Sequence, residues 1–225
     1  MIDAADTVFL FDVDNTLLDN DRVEEELREH LLRAYGVRAH DRYLAIFEHL
    51  RAELGYADYL GALERYRLEA LHNPKILHMG IWLVDYPFAD RLYPGALEVV
   101  SHVRQWGPPV ILSDGDAVFQ PRKIDRSGLW SAFDGRVLIF VHKEQELADV
   151  EHWHPAKHYV LIDDKLRILT AVKRVWGERV TTVFVKQGHY ATDAAALSSL
   201  PRADVEIEHI ADLAQYDLAA LAPTR

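Results

Sequence analysis

Thr7-Val8-Phe9-Leu10-Phe11-Asp12-Val13-Asp14-Asn15-Thr16-Leu17-Leu18 is the stretch on which the fold of this chain turns. Its first five residues are β-branched, aliphatic or aromatic, apart from the hydroxyl of Thr7. A run without polar alternation predicts a strand buried on both faces, as in a parallel sheet. The run ends abruptly at Asp12, where carboxylates take over. Open α/β sheets bind their ligands just beyond the carboxyl ends of their strands. If the chain stays extended there, Asp12 and Asp14 project to one side and Val13 to the other.

The same reading recurs downstream. Pro109-Val110-Ile111-Leu112 predicts a second strand, ending at Ser113-Asp114-Gly115-Asp116. A short apolar run, Val137 to Val141, precedes Lys143. His158 to Ile162 predicts a further strand, released at Asp163-Asp164, and Thr181 to Val185 another. Helical spacing fills the gaps: Ala96, Val99, Val100 and Val103, then Leu166, Leu169, Val172 and Val175, with Gly177 at the end. Pro121 interrupts the segment up to Gly128. The tail carries Val205-Glu206-Ile207 and predicts one last helix near Ile210 to Leu221. Strands alternating with helices imply a parallel α/β sheet with right-handed crossovers.

Residues 20–92 have another texture. Val23, Leu27 and Leu31 predict one amphipathic helix, Leu44, Phe47, Leu50 and Leu54 a second, and Tyr59, Leu63, Tyr66 and Ala70 a third. Gly36, Gly55 and Asn73-Pro74 mark the turns. This segment reads as an all-helical insert in the α/β chain, leaving 1–19 and 93–225 as the core.

Composition narrows the function. The chain has 225 residues, 49% of them hydrophobic, which suits one domain with an insert and excludes a mainly disordered chain. With 36 acidic against 25 basic residues the formal charge is −11, which argues against a nucleic-acid or anionic-membrane surface. There is no cysteine, so disulfides, thiolate nucleophiles and cysteine-ligated metals are excluded. No stretch reaches the roughly 20 apolar residues of a membrane span. The opening residues are acidic where a secretory signal is basic. A cytoplasmic location is the expectation.

Two carboxylates as close as Asp12 and Asp14 repel each other unless a cation compensates. Asp163 and Asp164, at the end of another strand of the same sheet, would add two more charges. Oxygen ligands without His or Cys suit a hard ion, and Mg2+ also engages phosphate. The competing reading makes these carboxylates helix caps or solvated loop ends. Ser113 offers a hydroxyl at the same sheet edge. Lys143 would bring an ammonium there, unless it is a solvated surface lysine.

Phe11-Asp12-Val13-Asp14-Asn15-Thr16-Leu17-Leu18 resembles the first motif of the haloacid dehalogenase superfamily, Asp-x-Asp-x-Thr with apolar flanks. Ser113 after Val110-Ile111-Leu112 resembles the second motif, Lys143 the third, and Asp163-Asp164 after Val160-Leu161-Ile162 the fourth. The resemblance implies a doubly wound, mostly parallel Rossmann-like sheet, with 20–92 as a helical cap inserted after the first strand. It implies Asp12 as nucleophile, forming an aspartyl-phosphate, and Asp14 as acid and then base. Ser113 and Lys143 would bind phosphoryl oxygens. Mg2+ would sit on Asp12, the Asp14 carbonyl and the last motif, where Asp163 is the preferred ligand and Asp164 supports or replaces it.

Three details depart from the commonest pattern. Asp114 and Asp116 add charge beside the second motif, and either face away or cap the next helix. Lys143 is followed by Glu144 rather than proline, which leaves Lys157 as the fallback. The fourth motif is Asp-Asp-Lys rather than Gly-Asp.

Dehalogenation releases a halide that needs no proton, so Asp14 favours phosphoryl transfer. The expected function is a Mg2+-dependent phosphohydrolase acting on a small phosphorylated metabolite. The alternatives are a mutase or other phosphotransferase, and a non-catalytic phosphate-responsive protein. Arg22, His49, Arg51, Tyr56, Arg67, His72 and His78 are the cap residues that could read the substrate, with Arg51 and Arg67 better placed on solvated helix faces. The five tryptophans, Trp82, Trp106, Trp130, Trp153 and Trp176, read as packing. His152 and His154 lack the spacing of a zinc site. Both a monomer and a homodimer fit.

Overall fold

The computed structural model describes residues 5–70 and 73–221. Strand β1 (Ala5–Phe11) leads into four helices, α1 (Asn20–Tyr35), α2 (Val37–Leu54), α3 (Tyr59–Glu69) and α4 (Ile76–Asp85). The α/β part then runs α5 (Ala96–Val103), β2 (Pro109–Asp114), α6 (Phe119–Arg126), α7 (Leu129–Ala132), β3 (Val137–Phe140) and α8 (Leu147–Trp153). It continues with β4 (Ala156–Asp163), α9 (Leu166–Trp176), β5 (Val180–Val185), α10 (Ala194–Ser199), β6 (Val205–Ile207) and α11 (Leu218–Leu221).

The strands form one sheet in the order β3-β2-β1-β4-β5-β6, with each neighbouring pair parallel. This is a doubly wound, Rossmann-like sheet with an inserted helical cap. Successive residues of β1 feed opposite faces, as a period of two requires. Phe9 and Phe11 join the core shared with the cap helices and α5, while Val8 and Leu10 join the core under α9. Burial of both faces explains the unbroken apolar run in the sequence.

The cap packs by the stripes its sequence predicts, with adjustments. Val23, Leu27 and Leu31 are buried on α1. On α2 the buried face is Ala39, Tyr43, Ile46, Phe47 and Leu50, with Leu44 and Leu54 only half-buried at its edge. Tyr43 lies inside because its hydroxyl donates to the Tyr59 carbonyl at 2.9 Å. Helix α4 escaped the sequence reading. Its buried Ile76, Met79 and Leu83 are accompanied by Leu77 and Ile81, which stay 60% and 56% exposed and blur the stripe.

Other expectations are corrected. The last helix is two pieces, a 3-10 run over Ile210–Gln215 and α11, separated by an extended Tyr216 (φ −76°, ψ 147°). On α9, Trp176 is buried in place of Val175, which is exposed, and stacks on Tyr159 with centroids 4.3 Å apart. Trp82 stacks on His30, but Trp106, Trp130 and Trp153 are exposed rather than packed. Pro121 is tolerated as the third residue of α6, where the helix has no use for its missing N–H.

Chain crosses between cap and sheet twice, and the two crossings pair. Leu18 bridges Leu92 in antiparallel fashion, Asp19 N donates to Arg91 O at 2.8 Å, and Tyr93 N donates to Leu17 O at 2.9 Å.

Candidate active site

Strand register assembles the site. Phe11 lies opposite Ile162 on β4 and Ile111 on β2, so Asp12, Leu112 and Asp163 leave the sheet at one level. The Asp12 amide still donates to Ile162 O at 2.9 Å. On the outer side, Asp114 of β2 is opposite Phe140 of β3, and Lys143 follows one short loop later. Residues separated by 150 positions therefore share one edge for backbone reasons alone.

Lys143 is fully buried among carboxylates. Its ammonium lies 2.5 Å from Asp12 Oδ1 and 2.7 Å from Asp163 Oδ2, and donates to Leu112 O at 3.1 Å. Its amide donates to Asp114 Oδ1 at 2.7 Å. Burial works against its charge, but Asp12, Asp163 and Asp114 outweigh that and hold it protonated far beyond the ordinary lysine range. The alternative, Lys157, begins β4 at the opposite end of the sheet, where it is exposed and paired with Asp6 at 2.7 Å.

Asp12, Asp163 and Asp164 each bring a carboxylate oxygen within 4.8 Å of the others, and all three are buried. Asp163 is the more occupied of the later pair, since Lys165 N also donates to its Oδ1 at 2.8 Å. Asp164 is fully buried and neither of its oxygens has a hydrogen-bond partner. Burial pushes its carboxyl well above the usual range, Asp163 and Asp12 adding to the effect while Lys165 opposes it. Burial likewise raises Asp163, against the pull of Lys143. A buried carboxylate with no partner is costly as an anion. A hard, oxygen-seeking cation fits this donor set and would remove that cost.

The sign of the pH effect follows. Asp164 titrates higher in the fold than in the unfolded chain, so ionising it removes stability from the metal-free protein as pH rises. A cation held by these carboxylates would need the ionised form, so any stabilisation it brought would grow over the same interval. Such a cation, at about 100 times its Kd, would add ~2.7 kcal/mol where Asp164 is ionised. Thermal melts should show that as a rise of roughly 5–10 °C, shrinking as the pH falls and Asp164 takes up its proton. A shift that does not change with pH would contradict it.

Asp14 takes a separate position. Its carboxylate is outside the three-aspartate group, 23% exposed, and faces a cleft between cap and sheet. Buried Lys123 of α6 donates to its Oδ1 at 2.7 Å, and Gln120 Nε2 to its Oδ2 at 3.3 Å. Gln120 Nε2 also donates to Ser113 Oγ at 3.0 Å, which ties Ser113 to Asp14. Lys123 reaches the cap as well, donating to Asn20 Oδ1 at 2.9 Å. Asn20 Nδ2 donates to Tyr59 Oη at 3.3 Å, and Tyr59 Oη to Glu24 Oε1 at 2.9 Å. Sequence reasoning missed Gln120 and Lys123. Their i, i+3 spacing just after Ser113 was visible, but a buried lysine on a short helix looks like a solvated one until its partner is known. Asp116 accepts from the amides of Val118 and Phe119 at 2.7 Å each, in the turn that leads into α6.

Asn15, in the left-handed region (φ 59°), turns the chain toward the cap, its Oδ1 accepting from the amides of Asn20 and Asp21. Gly188, at φ 69°, lies so close that a Cβ would come within 2.5 Å of the Asn15 side chain. The loop after β5 thereby reaches the cleft. His189 contacts Asp21 at 2.6 Å, and Tyr190 accepts from Arg51 Nη2 at 2.8 Å.

Of the cap candidates, Arg51 and Tyr56 line the cleft, whereas Arg67 is exposed and paired with Glu64. The expectation of a solvated face thus holds for Arg67 and is corrected for Arg51. Arg22 pairs with Glu25 and Glu26, His49 and His78 are exposed, and His72 lies outside the described residues. No helix among the described residues is long and apolar enough to cross a membrane.

Comparison with known proteins adds three findings. Residues 7–149 match the family model described as haloacid dehalogenase-like hydrolase. A crystal structure from Burkholderia xenovorans LB400, described as a haloacid dehalogenase-like hydrolase, is 60% identical with a TM-score of 0.91, over 95% of this chain and 99% of that one. L-2-haloacid dehalogenase from Xanthobacter autotrophicus, with chloropropionic acid covalently bound, shares the fold at 18% identity and TM-score 0.57, over 92% and 96% of the two chains. No curated protein matches the chain.

Proposed function

Because the chain belongs to the haloacid dehalogenase-like hydrolases, we propose that it is a Mg2+-dependent phosphohydrolase of small organic phosphate monoesters. The observation that carries this reading is the Asp14 carboxylate, held at the cleft by Lys123 and Gln120 beside the buried Asp12. A reaction that releases a halide has no use for such a group. A leaving alkoxide needs a proton, and the water that follows must lose one.

In this reading Asp12 attacks phosphorus in line, forming an Asp12–O–P bond as the ester P–O bond breaks. Asp14 gives its proton to the departing oxygen. It then takes a proton from water, which attacks the aspartyl-phosphate and releases phosphate, restoring Asp12. Lys143 and Ser113 stabilise the charge on the phosphoryl oxygens. Asp12, Asp163 and Asp164 would hold Mg2+, whose bound charge lets a phosphate dianion approach this acidic edge. Residues 20–92 act as the cap that excludes bulk water. A mutase or other phosphotransferase would use the same first step with a different acceptor.

The test is phosphate release from a chemically broad set of phosphomonoesters, with and without Mg2+, beside halide release from 2-chloropropionate. Mg2+-dependent phosphate release without halide supports the reading. Halide release without phosphate release overturns it.

Lys123→Met should separate the acid–base step from binding. Without the cation that holds Asp14, kcat is expected to fall by ~10^2 with KM nearly unchanged. Steady-state kinetics on any accepted ester checks this, and an unchanged kcat would reduce Lys123 to a packing role.

A further inference from the structure

On the cap side of the cleft, the Arg51 guanidinium meets no carboxylate at salt-bridge distance among the described residues. It donates instead to the Tyr190 hydroxyl at 2.8 Å. The acids nearest it, Glu24 and Glu48, act on it only from beyond salt-bridge distance and are shared. Arg28 draws both Glu24 and Glu48, at 4.0 and 3.5 Å, and Glu53 meets Arg65 at 3.3 Å. On the sheet side, the Lys165 ammonium lies 5.1 Å from the centroid of the same Tyr190 ring. Two cations thus converge on one tyrosine. The charge of Lys165 is answered by Asp164, Asp12 and Asp163; that of Arg51 is supported by the Tyr190 hydroxyl and, from beyond salt-bridge distance, by Glu24 and Glu48.

A half-buried guanidinium with no carboxylate in direct contact keeps donors free for a ligand's oxyanion. Its place in the last turn of α2 suits the helix dipole, yet the dipole gives no reason to turn into the cleft. The planar fork of arginine matches carboxylate or phosphate oxygens in pairs. Asp14 lines the same cleft, so one molecule could meet Asp14 at one end and Arg51 at the other. Only about 70 Å³ is open there, well under the roughly 300 Å³ of a drug-sized pocket. The sides of Tyr56, Ala57 and Tyr59 would flank a short carbon chain.

We propose that Arg51, backed by the Tyr190 hydroxyl, is a second-anion subsite. The substrate is then a short-chain phosphomonoester carrying a further oxyanion, a carboxylate or a second phosphate. This rests on the phosphohydrolase reading above.

Paired esters test it: 2-phosphoglycolate against ethyl phosphate, and propane-1,3-diol bisphosphate against propyl phosphate. In the parent protein, kcat/KM for the acidic member of at least one pair should exceed that of its neutral partner by ~30-fold, the range of a charge-assisted pair. The pair that shows the preference identifies the oxyanion. Arg51→Gln should bring that ratio close to one, and Arg51→Lys should keep part of it. Equal kcat/KM within both pairs in the parent protein would overturn the subsite while leaving the phosphohydrolase reading intact. If no ester turns over, calorimetric binding of phosphonoacetate against ethylphosphonate reads the subsite without catalysis. Tighter phosphonoacetate binding that Arg51→Gln abolishes supports it, and equal binding overturns it.

Discussion

Asp12→Asn slows Mg2+-dependent phosphate release by roughly 10^4-fold or more, the scale on which loss of a nucleophile is felt. The fold should survive. Asn is nearly isosteric with Asp, and Lys143 keeps Asp163 as its charged partner 2.7 Å away. The substitution also removes one negative charge from a buried group of three aspartates, which offsets the lost ion pair. A thermal melt close to that of the parent protein should therefore accompany the loss of turnover. Because Asp12 would also be one of the cation's donors, the Mg2+-induced rise in melting temperature should shrink. Release at more than about a hundredth of the parent rate would remove Asp12 from the role of nucleophile.

Lys143→Met has the larger structural effect. The ammonium is the positive charge between Asp12 and Asp163, and nothing at that point is exposed to water. Breaking a buried pair from one side leaves uncompensated charge and costs about 3–5 kcal/mol. In a chain of this size that lowers the melting temperature by roughly 6–20 °C. The deficit has a direction in pH. Asp163 already titrates above the ordinary carboxylate range, and without Lys143 it rises further. Its protonation at lower pH removes the uncompensated charge, so the deficit narrows as the pH falls. Mg2+ should restore part of the loss by supplying charge to the same carboxylates. Phosphate release should fall by ~10^2–10^3. An unchanged melting temperature in metal-free buffer would refute this account of Lys143.

Much of the site could be read in the sequence because the sheet converts chain position into spatial position. An apolar run ending in a carboxylate identifies a strand's carboxyl end, and parallel strands put all such ends on one edge. Asp12, Ser113, Asp163 and Asp164 needed nothing more. Lys143 needed only the short loop after β3. Spacing did not reveal which groups pair across the cleft. Lys123 looks like any helix lysine, and its burial depends on Asp14, 109 positions earlier. Arg51 looked like a residue of a solvated face, and its inward turn depends on Tyr190, 139 positions later. The order of preference between Asp163 and Asp164 was also beyond the sequence. First position after the strand suggests Asp163 as the open ligand, but Lys143 and the Lys165 amide already engage it, and Asp164 is the one left without partners.

The central pairing of β1 with β4 has a consequence for how the molecule comes into being. These neighbours are joined register for register, Ala5 with Ala156 and Phe11 with Ile162, although the whole cap and two other strands intervene in the chain. Closing so long a loop is slow, whereas the cap helices form from contacts between near neighbours. During synthesis the cap can therefore condense while β1 still lacks one flank, its apolar edge open to misassociation. The acidic group forms in the same event that covers this edge, since Asp163 and Asp164 arrive with β4. A cation that binds Asp12, Asp163 and Asp164 could not guide the early steps, because these carboxylates do not yet share a place, but it would lock the last one.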